Sequence, residues 1–236
     1  MAIGILAVGL LMAAVLFPAA IKENQNAFNN SMGSLICENG LTALRGKLKH
    51  EELTVTPATP NVLDAVSTTL GSRNFLGDDA LYPSGDAAAS MGYTGLLRKL
   101  SADANDYELT LISYNRMEKN SEIKAPRIQG ALADYTYPAS EPESKFGVTS
   151  KFTPAPATEK KWFQRNAVIV LVSQNGAVLH TCRVVRVVGN DVILDRKLTP
   201  ATPMFAYPFA EVKKSDGEPL AMPSPAMSML TARVAL

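Results

Sequence analysis

The chain has 236 residues, enough for one sizeable globular core with an appendage or for two small domains. Its 23 Lys+Arg stand against 22 Asp+Glu, and no basic run is denser than Glu159-Lys160-Lys161 or Glu211-Val212-Lys213-Lys214, so no nucleic-acid partner is expected. Two cysteines and two histidines exclude a multi-Cys zinc cluster and a framework of short disulfide loops, and they leave little for Ser-His or Cys-His catalysis.

From Met1 to Ile21 there is no charged or strongly polar side chain, and the first charge is Lys22. About 20 apolar residues in a helix cover the hydrocarbon of a bilayer, whereas a secretory h-region is only about 7 to 15 long. A cleaved signal wants a basic n-region and small residues at alternate positions before the cut, and neither is present. An ordinary transmembrane anchor would lead into a short linker and an independent domain. From Ile21 onward the pattern instead continues as an amphipathic helix. Ile21, Phe28, Met32, Leu35, Ile36, Leu41, Leu44 and Leu48 recur mostly at three- and four-residue steps, with Lys22, Glu23, Asn24, Gln25, Asn26, Asn29, Asn30, Glu38 and Asn39 between them. One helix from Met1 to about Lys49 would be roughly 75 Å long. Pro18 is expected to kink or locally melt it near Ala14. Gly33, Gly40 and Gly46 each lower helix propensity by about 1 kcal/mol, so packing must hold this half straight. Phe28, Met32, Leu35, Ile36, Leu41, Leu44 and Leu48 are the residues expected to pack the helix on the rest of the molecule.

The string Ala2-Ile3-Gly4-Ile5-Leu6-Ala7-Val8-Gly9-Leu10-Leu11, together with Leu16-Phe17-Pro18, resembles the N-terminal helix of type IV prepilin-like proteins, including the pseudopilins of type II secretion. In register with that family, a basic leader, a Gly and a Glu are expected just upstream of Met1. The resemblance implies a subunit that sits in the inner membrane before assembly. Assembly machinery then draws it into a homo-oligomeric helical filament, at the cell surface or as a periplasmic pseudopilus. Gly4, Leu6, Ala7, Gly9, Leu10, Leu11, Ala13, Leu16, Phe17 and Pro18 are the expected membrane and polymerisation residues. Burying so many apolar side chains is worth tens of kcal/mol as an upper estimate, so lipid or sister helices must cover them. The small residues Gly4, Ala7, Gly9, Ala13 and Ala14 would let helices approach closely.

After His50 the composition turns to Thr, Pro and Ala over Thr54 to Pro60, which reads as an exposed extended linker, and similar runs recur at Thr153-Pro154-Ala155-Pro156 and Thr199-Pro200-Ala201-Thr202-Pro203. Thr56, Thr59, Thr153, Thr199 and Thr202 are candidates for O-glycosylation, with unmodified loops the plainer reading. Short helices are predicted over Asn61 to Leu70 and Ala87 to Leu100. Tyr107 to Tyr114 alternates as a strand. Ala167 to Val172, a tight turn at Gln174-Asn175-Gly176, Ala177 to Val188, a second turn at Gly189-Asn190, and Asp191 to Asp195 read as a three-stranded antiparallel meander. Ser215 to Leu236 reads as irregular apart from a terminal strand from Met229.

The resulting expectation is an α+β chain: residues 1–50 a membrane and filament-core helix, and residues 51–236 a β-rich head whose meander packs on the helix stripe. No nucleotide-binding, hydrolase or metalloprotease motif is present, and no cofactor or metal site is expected. Asp78-Asp79 and Asp103 to Asp106 read as solvated loop acids, His180 as a core or rim residue, and Trp162 and Phe163 as core anchors. Cys37 and Cys182 lie within reach of one intrachain disulfide if the meander packs on the helix, and two lone buried thiols fit equally well. The functional expectation is a structural filament subunit. A single-pass anchored binding or assembly domain that never polymerises is the alternative, and an enzyme the third.

Overall fold

The computed structural model describes residues 2–48, 61–62, 81–82, 90–100, 105–118, 121–141, 147–174, 179–213, 215–220 and 226–235. The expected α+β class does not survive: the chain is mostly β, and its larger part is a closed six-stranded barrel rather than one open sheet beside a helix. In chain order the elements are α1 (Ala2–Lys47), β1 (Asn61–Val62), β2 (Leu81–Tyr82), β3 (Met91–Lys99), β4 (Asp106–Asn115), β5 (Ser121–Lys124), β6 (Ile128–Thr136), β7 (Val148–Pro154), β8 (Val168–Ser173), β9 (Leu179–Val188), β10 (Asp191–Leu194), β11 (Ala201–Pro208), β12 (Ala210–Lys213) and β13 (Ala226–Ala235). A 3-10 segment, Ala157–Trp162, precedes β8.

Three layers stack in the order helix, sheet, barrel. The middle layer is an antiparallel sheet ordered β1-β3-β4-β13, with β2 also pairing β3. Odd positions on its central strands, Tyr93, Leu97, Leu109 and Leu111, join Ile36, Cys37, Leu44 and Leu48 of α1 in one core. Even positions, Leu96 and Ile112, join Val168, Val170 and Val172 of β8 and Tyr207 of β11 in a second. A strand alternates its side chains between two faces, so one covered on both must be apolar on both. That condition explains β3. Residues 87–100 are predicted as a helix because Met91, Leu96, Leu97 and Leu100 fall on one helical side. In the fold Met91–Lys99 is a strand buried almost end to end, with Tyr93 and Leu97 under the helix and Leu96 under the barrel. Of the other expected helix, Asn61–Val62 is strand and residues 63–70 lie outside the described residues. The expected Thr54 to Pro60 linker lies outside them as well.

The barrel closes in the order β10-β7-β6-β11-β8-β9, every pairing antiparallel. Closure removes the sheet edges that would otherwise need protection. The β8, β9 and β10 strands pair as the expected meander; Asn175 and Gly176 of its first turn lie outside the described residues, and Gly189 turns its second corner at φ +60. Its place differs from expectation: it is barrel wall, and α1 packs instead on β13, β4 and β3. Ile169 and Leu171 point into the barrel with Phe152, Val184, Val192 and Leu194, while Phe163 and the half-buried Trp162 close one side, as expected of core anchors. At Gly130 a Cβ would lie 2.4 Å from the Phe152 ring and 2.4 Å from the Thr153 carbonyl oxygen, so only glycine lets that ring cross the β6-β7 pair.

Helix α1 continues through Pro18 without the local melting expected there, although Pro18 has no N–H to donate to the preceding turn. Two of the glycines that weaken it intrinsically are points where it touches the sheet. A Cβ on Gly33 would lie 2.8 Å from both Ser113 Oγ and Ser228 Cβ, and one on Gly40 would lie 3.0 Å from the Tyr93 ring, whereas Gly46 faces open space.

Candidate functional site

The expected packing set of α1 divides into two opposite faces. Ile36, Leu44 and Leu48 are buried, and Met32 and Leu41 pack half-buried against the same core. Phe28 and Leu35, expected among them, are not packed on the head: they are 57% and 43% exposed, alongside Phe17 at 67% and Ile21 at 55%. The physical reason is angular. At about 100° per residue, positions 17, 21, 28 and 35 fall within roughly 40° of one another, while 33, 36, 37, 40 and 44 cluster on the far side. The one broad stripe of the sequence is two stripes in space, one used by the fold and one left outside.

The outer stripe steps by seven from Ile21 to Phe28 to Leu35, and from Asn24 to Cys37 the helix carries no charged residue. Solvent-facing helices normally present charge opposite their apolar face. A hollow of about 520 Å³ lies beside the stripe, lined by Ile21, Asn24, Gln25, Phe28, Asn29 and Asn115, so apolar side chains alternate with amides that can both donate and accept. Of the expected membrane and polymerisation residues, Phe17 and Pro18 are exposed, while Gly4, Leu6, Ala7, Gly9, Leu10, Leu11, Ala13 and Leu16 are helical in backbone with side chains outside the described residues. Among the described residues, no helix is long and apolar enough to cross a membrane.

The two cysteines do not meet. Cys37 sits in the helix-sheet core, its thiol 3.9 Å from the carbonyl oxygens of Leu111 and Ser228, and Cys182 points into the barrel core with Ile169 and Val184. Both are free and buried, so the disulfide reading is overturned. The cause is the position of the meander: β9 lies in the barrel wall, with the whole sheet between it and α1. Burial, reinforced by the nearby Asp195 carboxylate, pushes the Cys182 thiol up to about 12, and burial raises Cys37 as well. Neither has the thiolate character of a reactive cysteine.

A second concavity separates the barrel from the free end of the sheet, a cleft of about 530 Å³ between β9 and the β4-β13 pair. It is lined by apolar Ile112, Val168, Leu179 and Met229 and by polar Glu108, His180, Thr181, Arg183, Asp195 and Arg196. These groups are largely engaged with protein partners. Glu108 accepts from Arg98, Arg183 Nη1 donates to the Asn166 carbonyl oxygen at 3.3 Å, and Arg196 Nε reaches Asp195 at 3.4 Å. His180 is half-buried and shares the strand face of Cys182, opposite Leu171.

Glu211, the one fully buried carboxylate among the described residues, is equally occupied. It accepts from the backbone N–H groups of Met117 at 3.0 Å and Glu118 at 2.9 Å and from the Ser121 hydroxyl, locking the turn between β4 and β5 onto β12. Sequence offered no signal for this knot, since Glu211 stands in an ordinary charged run. Among the described residues no three His, Cys, Asp or Glu side chains gather as a metal site. Asp106 is held below the usual carboxylate range by the bonds that Arg233 donates to it, rather than being a loose loop acid; Asp78, Asp79 and Asp103 lie outside the described residues.

Of the glycosylation candidates, Thr199 and Thr202 are exposed, and Thr56 and Thr59 lie outside the described residues. Thr153 is no loop residue: it is half-buried in β7, and its hydroxyl donates to Asp191 Oδ1 at 2.6 Å. Comparison with known proteins finds no family model that matches this chain, no matching curated protein and no matching solved structure.

Proposed function

We propose that the chain is a structural subunit that polymerises through α1 into a helical filament of the type IV pilus or pseudopilus kind, outside the cytoplasm. The observation that carries the reading is the outer stripe of α1. Phe17, Ile21, Phe28 and Leu35 stand exposed on a face of α1 that lies outside the helix-sheet core. Exposed apolar side chains aligned on one helix face mark an interaction surface more readily than singly scattered ones do. The stripe's seven-residue step matches the spacing at which one helix presents a continuous seam to another. Copies of α1 supply such a partner without a second gene product, and the apolar sequence from Ala2 to Leu16 extends the same rod. In the assembled state the amides of Asn24, Gln25 and Asn29 would bond between helices instead of to water.

Electron microscopy of sheared surface material from cells expressing the full-length chain tests this. Filaments that label for the chain are expected, and Phe28→Ser is expected to abolish them while leaving the fold intact. Filaments that persist in the Phe28→Ser, Ile21→Asn double variant would overturn the reading. The second reading, an anchored binding domain that does not polymerise, is favoured by the cleft between barrel and sheet. It requires a dispersed protein with no filaments at any expression level.

A further inference from the structure

Strand β13 is the edge of the middle sheet. It pairs with β4 along almost its whole length, and among the described residues no strand pairs with the other side of Ser228 to Ala235. An edge strand offers a row of unpaired N–H and C=O groups, and proteins usually blunt it with lysine, proline, a β-bulge or shortness. β13 has a register shift only at its start, between Ala226 and Ser228, and from there on it has neither lysine nor proline in a strand ten residues long, AMSMLTARVA. Its single charge, Arg233, is engaged by Asp106, Nε to Oδ1 at 2.7 Å. Beyond the register shift at Ala226/Ser228 the side chains alternate, with Leu230 and Val234 under α1 and Met229, Thr231 and Arg233 exposed on the other face. The barrel covers β3 and β4 through β8 and stops short of β13, leaving the cleft beside it.

We infer that β13 pairs antiparallel with β13 of a second copy, with Thr231 on the two-fold axis, joining two sheets into one across a dimer. Identity of the partner rests on self-complementarity. A two-fold perpendicular to the sheet puts the same face of both copies on the same side, so helices continue beside helices and barrels beside barrels. In this register Thr231 faces Thr231, Leu230 faces Ala232, Met229 faces Arg233 and Ser228 faces Val234. The arginines, the only charges on the strand, never meet each other, and like charges directly opposite would disfavour pairing. The Thr110 and Thr231 hydroxyls, 3.2 Å apart within one chain, become a row of four threonines across the junction. The contact does not involve the outer stripe of α1, so it stands or falls separately from polymerisation.

The test uses the full chain in mild detergent. Thr231→Cys is expected to form a disulfide-linked dimer on mild oxidation. The unaltered chain, whose two cysteines are each 1% exposed, should form none. Arg233→Cys alone should not cross-link, and Met229→Cys with Arg233→Cys should. By sedimentation, Thr231→Lys is expected to weaken the dimer at least tenfold with unchanged circular dichroism, Thr231→Val to preserve it, and Phe28→Ser to leave it untouched. A native chain that sediments as a monomer at every concentration, or cross-linking by Arg233→Cys in place of Thr231→Cys, overturns the inference.

Discussion

Leu35 and Ile36 are chain neighbours on different faces of α1, and replacing each by alanine separates folding from assembly. Ile36 is 1% exposed, so Ile36→Ala removes buried methylenes and leaves a cavity in the helix-sheet core. Such truncations cost about 2 to 5 kcal/mol. Leu35 is 43% exposed, so Leu35→Ala forfeits only part of a side-chain transfer energy of about 1.5 to 3 kcal/mol, and alanine's better helix propensity offsets some of that. The expected loss is at most about 1 kcal/mol, or roughly 2 to 4 °C in melting temperature for a chain of this size. Urea titration monitored by circular dichroism at about 222 nm, the usual helix band, measures the first quantity, and the filament yield of sheared material measures the second. Ile36→Ala is expected to lower stability severalfold more than Leu35→Ala, and filament yield at a temperature where both are folded is expected to fall only for Leu35→Ala. Equal destabilisation by the two would refute the assignment of faces. Full filament yield from Leu35→Ala would refute the role of the outer stripe.

The glycines of α1 give a second check. Gly46→Ala meets open space and is expected to stabilise by up to about 1 kcal/mol, while Gly33→Ala meets Ser113 and Ser228 and is expected to be net destabilising by about 1 to 2 kcal/mol, both read from urea midpoints. The free, buried thiols are expected to resist a chromogenic disulfide reagent at about pH 8 in the native chain and to react fully, at two per chain, in guanidinium. Asp191 provides a pH test. Burial acts to raise its carboxyl, but the bonds donated by Lys151 Nζ and Thr153 Oγ1, each 2.6 Å long, outweigh it and hold the folded value below the ordinary one. A carboxylate lowered on folding adds stability above its unfolded value of about 3.9 and loses it as pH falls through the folded value. Asp191→Asn is therefore expected to cost about 1 kcal/mol at about pH 7 by urea titration, and the difference should shrink progressively as pH falls through the folded value of the Asp191 carboxyl.

Local order was legible in the residues wherever the period was unambiguous. The apolar and amphipathic run of α1, the alternation of Tyr107 to Tyr114, the β8-β9-β10 meander and the terminal strand all come from spacing and turn chemistry, because these are properties of neighbours in the chain. Tertiary structure alone decided which surfaces meet. Periodicity could not show that β3 is covered on both faces, so its double-sided run read as a helix. Nor could it show that the meander closes a barrel with β6, β7 and β11, which places Cys182 on the far side of a sheet from Cys37. The division of α1 into an inner and an outer stripe is of the same kind. A hydrophobic pattern records how much apolar surface a segment carries, and only the position of the sheet determines which part of it remains for another chain.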